Sequence, residues 1–152
     1  MSALAALCAR LGVAADRLPL LDAAFPSPPS WADEGATLWR AGQPATAVEL
    51  LEEGVVVVEL QAEAGGPVVR HELRAPALLG LPSAVDGGAR GGTARALRPC
   101  ALRALPAAAL QSALQCADPT SEALRELLLA AMWSDLREAT LLLREHLRAR
   151  PA

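Results

Sequence analysis

The chain has 152 residues, of which 53% are hydrophobic and 20% are charged, and its formal net charge is −3. That length suits one domain around a single core, and the net negative charge argues against electrostatic capture of nucleic acid by this chain. No apolar run reaches the roughly 18 residues that a membrane-spanning helix needs, because charged residues or prolines interrupt every aliphatic stretch.

Residues 1–30 predict a helical lead-in followed by a proline-rich connector. Leucines at helical spacing lie between a capping residue, Ser2, and a stop, Gly12. A second apolar set ends at Phe25, just before residues 26–29, whose three prolines exclude both a helix interior and a central strand. Because no basic leader precedes the first apolar segment, we expect no secretory signal and a cytoplasmic location.

From residue 31 to residue 117 short apolar runs alternate with turn residues, which predicts a compact antiparallel β-roll. Gly65 and Gly66 separate two apolar strands, as the turn of a hairpin would. We expect strands at residues 37–40, 47–51, 55–60, 68–73, 93–97 and 101–105. We also expect Trp31 and Trp39 to be core residues at the entrance of the roll.

After the roll the pattern becomes helical. Pro106 suits the first turn of a helix that runs to Gln115, and Asp118 or Thr120 can cap a second one. Residues 118–152 therefore predict a long C-terminal helix, which has no Gly or Pro between residues 121 and 148. Its apolar stripe is wide enough to cover the roll and also to meet a second copy of the chain. The stripe comprises Leu124, Leu127, Leu128, Met132, Leu136, Ala139, Leu143 and Leu147.

Three stretches resemble the cyclic-nucleotide-binding domain family, to which the catabolite activator protein belongs. Residues 38–54 are similar to the family's strands and glycine turns, residues 78–96 to its phosphate-binding cassette, and residues 100–106 to its last strand. Together they extend the likeness over about residues 35–148. The resemblance implies a mainly β fold with flanking helices, namely an antiparallel β-roll of the jelly-roll type with an N-terminal helix and a long C-terminal helix.

The cassette that this resemblance implies would hold a ligand phosphate. Gly80 begins a short helix whose free N–H groups face an anion, and Arg90 matches the family's phosphate-binding arginine. Glycines around Arg90 let the backbone approach a ligand. The alternative is that the glycines only form turns and that Arg90 is a solvated loop charge. The ligand-site residues implied by the likeness are Gly80, Leu81, Arg90, Gly91, Gly92 and Thr93.

Two departures from the family pattern predict weak binding of cyclic AMP. Leu81 stands where the family has a glutamate that accepts a hydrogen bond from the ribose, and Gly91 replaces a small hydroxyl residue. A ligand hydroxyl left without its acceptor costs roughly 1 to 3 kcal/mol, or one to two factors of ten in affinity. On this interpretation Leu81→Glu would improve binding if the cassette were otherwise intact.

Other polar residues show no pattern typical of catalysis or metal binding. The three cysteines, Cys8, Cys100 and Cys116, are too widely spaced for a metal knot and fit reduced, mostly buried thiols. We interpret the two histidines as structural or surface residues and the pair Glu52-Glu53 as solvated charge. We expect no enzyme, no metal and no certain cofactor. Trp133 lies where relatives close over the base, but a tryptophan on an apolar helix face is more often core or interface.

Three functions remain open from the sequence. The first is a stand-alone regulatory sensor or protein-interaction module, in which binding at the roll moves the long helix. The second is the sensor domain of a Crp/Fnr-type transcription regulator, although here the chain ends at Pro151-Ala152 with no helix-turn-helix. The third is a ligand-free scaffold. We further expect a homodimer through the C-terminal helix and a downstream protein partner.

Overall fold

A computed structural model describes residues 1–61 and 65–150 of the chain and confirms the expected β-roll with flanking helices. Helices are α1 Ala3–Leu11, α2 Leu18–Ala24, α3 Leu81–Asp86, α4 Ala107–Gln115 and α5 Pro119–Ala149, with a 3₁₀ turn at Ala15–Arg17. Strands are β1 Ser30–Ala32, β2 Thr37–Trp39, β3 Ala47–Glu53, β4 Val55–Gln61, β5 Val68–Arg74, β6 Ala77–Leu79, β7 Thr93–Ala96 and β8 Cys100–Pro106.

The strands form two antiparallel four-stranded sheets. One has the order β1-β8-β3-β6 and the other the order β2-β7-β4-β5. In the second sheet β4 and β5 form the hairpin that the glycine pair predicts, with Val56 opposite Leu73 and Leu60 opposite Val69. Strand β5 lies at the edge of that sheet, and its first two residues, Val68 and Val69, are exposed.

Strand β3 separates two apolar cores because its side chains alternate between the faces of the sheet. Val48 and Leu50 face the helices, where they join Leu4 and Leu127 in the helical core. On the other face Leu51 packs between the two sheets in the roll core. The helices therefore seal one side of the roll, while its interior is filled separately.

The two terminal helices are capped as the sequence predicts. The Ser2 side chain accepts a hydrogen bond from the Ala5 amide, and Gly12 ends α1 in the left-handed conformation. Asp118 caps α5 by accepting a hydrogen bond from the Ser121 amide. In α5 the buried residues lie between positions 121 and 131, and the rest of the helix is exposed.

Several details differ from the sequence prediction. Strands β1 and β6 are too short to produce a visible alternation, and they exist because β8 and β3 pair with them. Trp31 is 65% exposed on edge strand β1, so the prediction of a core residue is wrong there, whereas Trp39 is buried as expected. Pro106 ends β8 and precedes α4 instead of lying in its first turn. Within the described residues no helix is long and apolar enough to cross a membrane.

Candidate ligand-binding site

A cleft of about 350 Å³ opens where α3 and the segment that follows it meet the open face of β2 and β4. Its walls are mostly apolar, and glycine backbone forms much of the remainder. The polar side chains on its surface are those of Ser83, Asp86 and Arg90. The lining residues are Trp39, Val58, Leu60, Gly80, Pro82, Ser83, Asp86, Ala89, Arg90, Gly91 and Gly92.

Gly80 is required by both its backbone and its surroundings. Its φ of +73° lies in the left-handed region, which side chains with a Cβ rarely adopt. A Cβ at this position would also overlap the Nη1 atom of Arg90. Gly80 therefore ends β6, begins the six-residue helix α3 and leaves room for a guanidinium.

The side chain of Arg90 is buried in the roll and hydrogen-bonded to its backbone, so it is not a solvated loop charge. It is 5% exposed, and its Nη1 and Nη2 atoms donate hydrogen bonds to the Gly80 and Ala47 carbonyl oxygens at 3.0 and 2.7 Å. Its Cζ atom lies 4.2 Å from the ring centroid of Trp39, within the range of a cation–π interaction. The buried Nε–H has no partner among the described residues. Arg90 thus ties β2, β3 and the start of α3 together.

A half-buried carboxylate, Glu49 on β3, acts on this guanidinium at longer range. Burial lowers the pKa of Arg90, and the charge of Glu49 partly reverses that effect. Burial likewise raises the pKa of Glu49, while Arg90 lowers it. Since an arginine remains protonated in proteins, the positive charge at the cleft is retained but already partly balanced.

The glycines after Arg90 shape the rim of the cleft. Gly91 and Gly92 line it, and a Cβ on Gly92 would lie 2.7 Å from the carbonyl oxygen of Glu59 on β4. The hydroxyl of Thr93 accepts a hydrogen bond from the Ala41 amide at 3.0 Å and does not line the cleft. Of the implied cassette residues, the structure brings Gly80, Arg90, Gly91 and Gly92 together.

Two implied contacts lie elsewhere. Leu81 is 1% exposed and packs in the helical core, so its side chain is turned away from the cleft. Trp133 is 63% exposed near the middle of α5 and is not part of the cleft surface. A base in this cleft would therefore not stack on Trp133 of the same chain in this arrangement.

Asp86 is a cleft residue that the sequence analysis missed. It ends α3, and its Oδ1 atom accepts a hydrogen bond from the Gly88 amide at 2.7 Å. The run Asp-Gly-Gly is a turn signal in the sequence, but nothing in it shows which surface the carboxylate would face. The role of Trp39 as a platform for Arg90 also had no sequence signal beyond its apolar character.

The remaining polar residues have structural roles. Glu52 is not solvated, because its Oε1 atom accepts a hydrogen bond from Arg103 Nε at 2.6 Å and both side chains are largely buried. Cys8 and Cys100 are buried and Cys116 is exposed. Across residues 1–61 and 65–150 no group of three His, Cys, Asp or Glu side chains could hold a metal ion.

The sequence matches the family model of the cyclic nucleotide-binding domain over residues 30–116. No curated protein sequence matches the chain. The N-terminal domain of a transcriptional regulator from Streptomyces coelicolor is 26% identical, with a TM-score of 0.61 and 84% of each chain covered.

Two longer proteins share the fold. The catabolite activator protein of Thermus thermophilus is 25% identical with a TM-score of 0.67, and the match covers 88% of this chain but 60% of that one. A cAMP-binding acyltransferase from Mycobacterium smegmatis is 24% identical with a TM-score of 0.56, over 72% of this chain and 35% of that one. The same architecture therefore also occurs as part of an enzyme.

Proposed function

The chain belongs to the cyclic nucleotide-binding domain family, and we propose that it is a regulatory or protein-interaction module whose altered cassette binds cyclic nucleotides weakly. The observation that supports a ligand site is the cleft itself, in which a buried arginine and three glycines share one surface. Glycine backbone admits close approach of a ligand, and a guanidinium is the natural partner of a phosphate.

Weak affinity follows from how Arg90 is used. Two of its N–H groups already donate to backbone carbonyls, and its Nε is buried. An anion must therefore displace one of these carbonyls or bind only to the few N–H groups that remain free. Glu49 offsets part of the positive charge. No glutamate at position 81 accepts from a ribose, since that residue is a leucine in the core. Each of these features reduces the affinity for a cyclic phosphate.

A second candidate is the sensor domain of a transcription regulator. It is favoured by the Streptomyces coelicolor domain, which comes from a transcriptional regulator and matches this chain over 84% of both lengths. The two candidates use the roll and cleft in the same way and differ in what receives the signal. Neither assigns catalysis to the cleft.

We further propose that the module forms a homodimer through α5 and presents the helix to a protein partner. Beyond residue 131 the helix carries large apolar side chains that no described residue buries. Contiguous exposed apolar surface of this kind marks protein interaction sites.

Calorimetry of the purified protein with cyclic AMP and cyclic GMP tests the ligand proposal, with adenosine as a control that lacks the phosphate. We expect dissociation constants above the micromolar range for both nucleotides. Adenosine should give no heat, because only the phosphate can pair with Arg90. Sub-micromolar binding of either nucleotide would show that the cassette is not impaired. No binding at all would favour the ligand-free scaffold.

A further inference from the structure

We infer that Asp86 is the polar residue that selects the ligand of this cleft, by accepting a hydrogen bond from a ligand hydroxyl while the ligand's anionic group faces Arg90. The inference rests on the proposed function, since it concerns the same cleft. It assigns a recognition role to a residue outside the set that the family likeness implies.

Asp86 carries the one carboxylate among the residues that line the cleft. Its Oδ1 atom is held by the Gly88 amide, and Gly88 in turn donates to the Ser83 carbonyl at 3.1 Å. The Gly88 carbonyl accepts a hydrogen bond from the Ala45 amide at 3.2 Å, which anchors this turn to the segment before β3. One hydrogen bond to Oδ1, from a turn that is itself anchored, therefore orients the carboxylate.

The second oxygen, Oδ2, has no donor from any described residue, and Asp86 forms no ion pair in that part of the chain. An ionised carboxylate accepts hydrogen bonds and cannot donate them. It therefore favours a ligand group that donates, such as a hydroxyl. Leu81 cannot take this part, because its side chain lies in the helical core.

The cleft thus combines one cation, Arg90, with one acceptor, Asp86, between apolar walls that include Trp39 and Leu60. A ligand that fits has an anionic group, a hydroxyl and an apolar or aromatic body. A ribose cyclic phosphate has all three. A ligand that is only an anion would meet repulsion from Asp86 without the compensating hydrogen bond.

The test compares cyclic AMP with 2′-deoxy cyclic AMP, measured by ligand-observed NMR titration up to millimolar concentration. The wild-type protein should prefer cyclic AMP by about fivefold, less than a buried charged hydrogen bond gives because Asp86 is exposed. Asp86→Asn should reduce the preference to about twofold, because a neutral amide forms a weaker hydrogen bond with the ribose hydroxyl than a carboxylate does. The asparagine oxygen can still accept from Gly88, whereas its amide presents donors to the cleft.

Asp33→Asn is the matched control, because it removes the same charge from an exposed loop away from the cleft. It should keep the fivefold preference, and equal melting temperatures of the three proteins should show intact folds. A preference that stays fivefold in Asp86→Asn, disappears in Asp33→Asn, or is absent from the wild type would overturn the assignment of Asp86 while leaving weak nucleotide binding in place. Failure of both nucleotides to bind any protein would instead overturn the proposed function, and the inference with it.

Discussion

The side chain of Leu81 is in contact with the helical core, in the same cluster as Leu4, Leu7 and Leu110. A glutamate there would place a carboxylate among leucines that offer it no hydrogen-bond donor. Burying an unpaired charge is far more costly than leaving it in water. The sequence analysis treated position 81 as a ligand contact, and burial now argues that it is a stability position.

We accordingly expect Leu81→Glu to destabilise the protein and not to improve nucleotide binding. The free energy of unfolding should fall by about 3 kcal/mol or more, from the lost packing and the buried charge together. Chemical denaturation measures it, with Leu114→Glu as control, because Leu114 is exposed on α4. A stable Leu81→Glu variant that binds cyclic AMP more tightly would restore the original interpretation.

For Arg90 the sequence predicted the position beside the cleft but not the hydrogen-bond partners of the guanidinium. The glycine-rich segment around it predicts a residue close to a ligand, and Arg90 does line the cleft. The carbonyl partners at Gly80 and Ala47 are 10 and 43 residues away in the chain, so no local pattern could reveal them. For the same reason Glu49, a strand residue in the sequence, gave no sign of its influence on Arg90.

Among the elements, long and strongly periodic segments were predictable and short ones were not. The β-branched run in β4 and the stretch without Gly or Pro in α5 follow local conformational preferences, which can be recognised without knowing the neighbouring elements. The three-residue strands β1 and β6 are set by their neighbours in the sheet instead. Helix α3 was expected from its glycine start, yet the side that each of its residues faces depends on how the helix packs.

The start of α5 depends on Asp118, and we expect its contribution to vary with pH. Hydrogen bonds from the Ser121 hydroxyl and amide lower the pKa of Asp118, so the native state binds its proton less readily than the unfolded chain does. The stability that results is present above the ordinary aspartate pKa of about 4 and is lost as pH falls through the lower, folded value.

Asp118→Ala should therefore lower the thermal midpoint at neutral pH, while Asp118→Asn, which can still cap the helix, should lower it less. Midpoints measured from about pH 3 to about pH 7 should show the wild type approaching Asp118→Asn toward the acidic end, because the aspartate becomes progressively protonated there and loses its charge. A wild-type advantage over Asp118→Asn that stays constant across this range would contradict the pH argument.

For the molecule as a whole, α5 divides into a first part that packs in the core and a part beyond residue 131 that is exposed and packs against no other described residue to any large extent. Leu124, Leu127 and Leu128 close the helical core. In the distal half, Leu136 and Leu143 lie seven residues apart on one side of the helix, in line with the exposed Leu129, and both are more than half exposed. Leu141 is exposed to a similar degree but points to the opposite side of the helix. Two separate apolar faces would suit a second copy of the chain on one side and another protein on the other.

The expected dimer uses the stripe that includes Leu136 and Leu143, because seven-residue spacing brings these leucines onto one seam. Light scattering at micromolar concentration should give twice the mass of the chain for the wild type and the mass of one chain for the double variant Leu136→Glu and Leu143→Glu. Paired helices would have to bury those carboxylates against each other, whereas a monomer leaves them in water. Leu141→Glu carries the same change on the opposite face and should remain dimeric. A monomeric wild type would refute the dimer, and a monomeric Leu141→Glu variant would place its interface on the other face of α5.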